Sequence, residues 1–158
     1  METDSNAPFA EGSSCCLINA VRSRQTELVK ELLRRGADIN KKGESGRSAL
    51  AFASQEGYTD IVNILLHNDA SIENRDNDGR TSLMLAAVNG QTDVARALVS
   101  AGADVNTQRN DGDSALGIAS RQGHINVVNI LLNRGAQIES QRQPRSHTSV
   151  LRCRQWTR

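Results

Sequence analysis

Gly46, Gly79 and Gly112 stand 33 residues apart, and Gly57, Gly90 and Gly123 keep the same interval. Leu50, Leu83 and Leu116 repeat it, as do Ala53, Ala86 and Ala119. A further series, Ala37, Ala70, Ala103 and Ala136, carries the frame back towards the start of the chain. Self-similarity at a fixed period of about 20–50 residues marks a repeat architecture, in which a single unit cannot bury its own apolar face and leans on its neighbours. That constraint precedes every other reading of this chain.

The elements of one unit can be read from "GRTSLMLAAVNG" and the stretch that follows it. The Thr81 hydroxyl suits the cap of a short first helix, as Ser48 and Ser114 do in their own units. Leu83, Leu85 and Ala86 form its apolar stripe, and Gly90 ends it in a turn that needs an unusual backbone. Thr92 and Asp93 open a second helix, where an acid suits the dipole; Thr26 and Thr59 repeat the device. Val94, Leu98 and Val99 give it helical spacing, and Gly102 provides the terminating glycine. Between units lie phrases such as "ADVNTQRNDG", a short β-prone dipeptide followed by turn residues, which predicts a hairpin. The unit is hairpin, helix, turn, helix.

With these motifs in place, the chain resembles the ankyrin repeat family, and "DGRTSLMLAAVNGQTDVARALVSAGADVN" is the clearest copy. The resemblance implies an all-α repeat solenoid with a β-hairpin and two antiparallel helices per unit. It covers about residues 17–140, as units 17–42, 43–76, 77–109 and 110–140, the first without its hairpin. Residues 1–16 are expected to be disordered, and 141–158 to form a disordered basic tail without repeat match. The family's Thr-Pro-Leu-His helix start is altered to "SALA", "TSLM" and "SALG", which keep the hydroxyl and the leucine and lose the proline and histidine. Asp69 replaces the terminating glycine of unit two, and Arg24 takes the turn-glycine position of unit one. Unit two is therefore expected to be locally the softest.

Composition bounds the function. The formal charge is +1, so electrostatic capture of nucleic acid by the chain as a whole is not expected. Residues 1–16 carry only acids and 141–158 carry arginines and no acid, so the charge is displaced to the ends. Three cysteines, Cys15, Cys16 and Cys153, make no disulfide framework and fit a reducing compartment. No signal peptide, lipidation motif or apolar run long enough for a membrane span is visible, so the protein is expected to be intracellular. His67, His124 and His147 lack metal-site spacing, and no phosphate-binding loop or base-paired nucleophile appears. No enzyme activity, cofactor, metal, small-molecule substrate or membrane partner is expected.

Positions that repeat form the frame, and positions that differ form the display. At the hairpin tips the differing residues are Glu44, Ser45 and Arg47, then Asn77, Asp78 and Arg80, then Asn110, Asp111 and Asp113. At the ends of the first helices they are Gln55 and Glu56, Val88 and Asn89, Arg121 and Gln122. The resemblance implies that these line one concave surface, which would bind a protein partner as an adaptor or scaffold does. It also implies that Asn40 and Asn106 are candidate substrates of an asparaginyl hydroxylase, given Leu32 and Asp38 before the first and Leu98 and Asp104 before the second. The bland reading is an asparagine bridging adjacent hairpins. The apolar residues of unit four, including Ile118, Val128 and Leu132, read like an internal layer. Either Val150, Leu151 and Trp156 fold back over it, or the chain is a short, spliced form of a larger repeat protein whose catalytic, ligase or membrane function lies elsewhere. The break in composition after Ser140 favours the second.

Overall fold

The computed structural model describes residues 13–138. The expected terminal segments fall largely outside them. Eight helices follow in order: α1 Ser13–Arg22, α2 Thr26–Arg34, α3 Ala49–Glu56, α4 Thr59–His67, α5 Ser82–Val88, α6 Thr92–Ser100, α7 Ala115–Gln122 and α8 Ile125–Asn133. Helix α1 starts ahead of the expected boundary at Leu17.

The first helices stack in one row, α1 on α3 on α5 on α7, and the second helices in another, α2 on α4 on α6 on α8. Each helix also packs on the other member of its own pair. The core runs lengthwise between the rows and has no single centre. Leu50, Leu65, Leu83, Leu98 and Leu131 are all essentially inaccessible. Alanines at Ala49, Ala53, Ala86, Ala95 and Ala119 are buried too, and their small side chains let the helices approach closely. Nothing at this spacing makes room for many aromatics.

Local chemistry starts and stops the helices. Ser48, Thr81 and Ser114 cap α3, α5 and α7, accepting from the backbone N–H of Ala51, Met84 and Gly117 at 3.3, 3.4 and 3.2 Å. The second helices α2, α4 and α6 open where expected, at Thr26, Thr59 and Thr92. Thr59 and Thr92 are the first helical residues, and their hydroxyls donate back to the carbonyls of Gly57 and Gly90. The preceding residue makes the cap position, without a side-chain cap. Glu27, Asp60 and Asp93 do lie in first turns, where the dipole favours acids. Asp69 has φ 59° and Arg24 φ 53°, so both occupy the left-handed backbone that glycine holds in the other units.

The expected hairpins close as tight turns without strands. Gly43, Asp76 and Arg109 donate to the carbonyls of Arg47, Arg80 and Asp113, and the turn inside each is closed by Gly46, Gly79 or Gly112. Among the described residues the sole ladder contact is an antiparallel bridge between Gln108 and Ser114. A β-prone dipeptide is too short to build a ladder, and side chains take over the backbone groups: Asp76 accepts from the N–H of Asp78 and Arg80 at 3.0 and 2.8 Å.

Candidate functional site

The display residues sit on a frame of bonds that recurs with the period. Lys42 Nζ donates to the Arg75 carbonyl, and Arg75 Nη1 donates to that of Gln108, one layer further on each time. Asn77 Nδ2 reaches the Glu44 carbonyl and Asn110 Nδ2 that of Asn77, both at 3.4 Å. Asn40 Oδ1 accepts from Ser71 N–H and Asn106 Oδ1 from Gln137 N–H, each at 2.8 Å. Between them Glu73 does the same for Asp104 N–H at 2.9 Å. Both asparagines singled out for hydroxylation thus bridge adjacent loops through their amide oxygens.

At the turn ends the same bond is made by different side chains. Gln91 Nε2 donates to the Gln55 carbonyl at 3.3 Å, and His124 Nε2 lies 3.0 Å from the Val88 carbonyl. A carbonyl can only accept, so His124 carries its proton on Nε2 in this contact. Gly90 lies directly beneath: its φ is 67°, and a Cβ there would come within 2.5 Å of His124 Nδ1. His124 is therefore a clasp between layers, a role that its sequence context as a turn residue did not disclose.

Glu44, Ser45, Glu56, Asn77, Asp78, Asn89, Asn110, Asp111, Arg121 and Gln122 are exposed. Arg47, Gln55, Arg80 and Val88 are half-buried, and Asp113 is buried at 4% exposure. The arginines belong to the frame as well as to the display. Arg47 donates to Gln55 Oε1 at 2.7 Å and to Asp76 Oδ2 at 3.4 Å, while Arg80 holds the same oxygen at 2.9 Å and pairs with Asp78 at 2.6 Å. One layer on, Asp113 Oδ2 takes Arg109 at 3.0 Å and Arg121 at 2.5 Å. Asp113 thus anchors Arg121 from within and is not a displayed group. Asp76 went unnoticed in the sequence, although a signal was there: Asp76 and Arg80 recur as Arg109 and Asp113, the same pair with its charges exchanged. Burial raises the Asp76 carboxyl, but the Arg80 N–H and guanidinium and the Asp78 N–H outweigh it and hold it below the ordinary range.

Two arginines also flank an aromatic ring. Arg22 and Arg47 approach the Phe52 ring to 5.7 and 5.8 Å, and Arg24 lies 5.2 Å from the Tyr58 ring. Among the described residues no group of His, Cys, Asp and Glu could hold a metal, and no helix is long and apolar enough to cross a membrane.

A family model described as ankyrin repeats (3 copies) matches residues 17–109 and 72–142. The chain belongs to the ankyrin repeat family. A comparison with curated proteins returned no match. The ankyrin match spans all four helix pairs and the loops between them, so the interlayer bonds described above belong to one continuous repeat array. Ankyrin repeats are generally protein–protein interaction modules.

Proposed function

We propose that this ankyrin protein is a non-catalytic, intracellular adaptor that holds a protein partner on the face shared by its loop tips and first-helix ends. One observation carries the reading. At a fixed register the exposed side chains change from layer to layer, Glu56 to Asn89 to Gln122, while the interlayer bonds of Asn77 and Asn110 repeat. A constant frame under a varied surface suits complementarity to one partner, since charge and polar pattern select partners and a few residues carry most of the energy.

The test must spare the frame. Arg47, Arg80 and Arg121 hold the buried carboxylates of Asp76 and Asp113, so reversing them would damage the fold itself. Glu44, Glu56 and Gln122 are exposed, and a triple change to Arg leaves the frame in place. Affinity capture with the intact chain and the triple variant, at equal far-UV circular dichroism, is expected to lose the same proteins in the variant. An unchanged set of captured proteins would rule this face out as the site.

A further inference from the structure

Counted as layers, the helix pairs balance their face arginines unequally. Gly43, Asp76 and Arg109 share one register, each donating its N–H to the carbonyl of the residue four further on. In the third layer Asp76 takes Arg80 at 2.9 Å, and in the fourth Asp113 takes Arg109 at 3.0 Å and also holds Arg121. The second layer has Gly43 at this register, so Arg47 lacks that partner and reaches across to Asp76 at 3.4 Å, to an oxygen that Arg80 already occupies. In the first layer Arg22 stands at the register of Gln55, Val88 and Arg121, and Arg24 follows it in the turn. Both are exposed, and among the described residues neither guanidinium makes an ion pair or a hydrogen bond. They rest against rings instead, Arg22 on the Phe52 ring that Arg47 also approaches, and Arg24 on that of Tyr58. The neighbouring acids do not fill the gap: Glu56 accepts from Gln55 Nε2 at 3.2 Å, and Glu44 makes no ion pair among the described residues.

A ring face attracts a cation but leaves its forked N–H donors open, and a carboxylate fills that fork with two parallel bonds. We propose that this end of the face receives an acidic segment of the protein partner, whose carboxylates meet Arg22 and Arg47 beside Phe52 and Arg24 beside Tyr58. The proposal deepens the adaptor reading and rests on it. Charge complementarity selects such a segment, because arginines without a carboxylate of their own are satisfied by those that a partner brings. The rings hold the guanidiniums in place beforehand, so less ordering is lost when the forks are filled. Nucleic acid and anionic membranes fit this end less well. Glu44 and Glu56 are exposed close in the chain to Arg47 and Phe52 and repel an extended polyanion, whereas a short segment can set single carboxylates between them.

The test titrates the intact protein into a fluorescein-labelled peptide of alternating Glu and Ser at low salt, followed by anisotropy. Saturable binding is expected, weakened about fivefold by Arg22→Gln combined with Arg24→Gln and unchanged by Arg96→Gln on α6, all at equal far-UV circular dichroism. The same peptide with Gln in place of Glu is expected to bind about tenfold more weakly. The proposal is overturned by an absence of saturable binding, by equal binding of the Gln peptide, or by a double variant that binds as the parent does. Tighter binding of oligothymidylate or of phosphatidylserine vesicles, lost in the double variant, would assign this end to nucleic acid or to a membrane and overturn it too. If the Glu44, Glu56 and Gln122 variant loses captured proteins that the double variant retains, the face stands as the site and its acidic partner falls. If neither variant loses any, both readings fall.

Discussion

Ser82 buries its hydroxyl without a hydrogen-bond partner among the described residues, at a register where Ala49 and Ala115 stand in the neighbouring layers. An unsatisfied buried hydroxyl costs stability that a methyl does not. Ser82→Ala is therefore expected to stabilise the fold by about 1 kcal/mol, read as a higher urea midpoint at constant m-value. Asp76 carries the opposite sign. Its carboxyl is held below the ordinary 3.8 in the folded chain, so the stability that it contributes is present above that value and lost as pH falls through the lower native one. The urea midpoint of the parent is expected to drop over this acid range. That of Asp76→Asn, lower at neutral pH by about 1–3 kcal/mol, is expected to drop less steeply. These residues show where the sequence was mute. The period identified Leu50, Ala53 and Leu83 because burial repeats, whereas Asp76 and Asp113 break the period by exchanging charge with their partners. A search for identical residues passes over such a pair.

At the scale of the element, the first helices were legible because their caps are side-chain events: a hydroxyl three residues before the N–H that it accepts. The second helices were legible in extent and not in cap, since their threonines act one position inside and bond backwards to the turn. The loops misled in another way, because turn chemistry predicts a reversal of the chain but says nothing of how many ladder bonds follow. The outer helices α4 and α6 offer a clean comparison, each lying between two layers. They differ at the residue after the helix end, where Asp69 has φ 59° and Gly102 has φ 97°. Hydrogen exchange is expected to be faster in the last turn of α4 than in that of α6, and Asp69→Gly is expected to remove the difference. Slower exchange in α4 of the parent would show that unit two is not the soft one.

At the scale of the molecule, each described layer packs mainly on the layers beside it, and stability is shared among neighbours. Such a stack gives up a central core and gains a long face whose side chains can vary without disturbing what lies beneath. The frame bonds run from Lys42 to Gln108 through Arg75, and from Glu44 to Asn110 through Asn77, so the varied residues above them are held at a constant spacing. On the proposed function, partner choice depends on that face. The most direct measurement is hydrogen exchange of the intact chain, alone and with a protein that it captures. Protection is expected at the loop tips 43–47, 76–80 and 109–113 and at the ends of α3, α5 and α7. Protection confined to the outer helices α2, α4, α6 and α8, with those tips unchanged, would contradict the account.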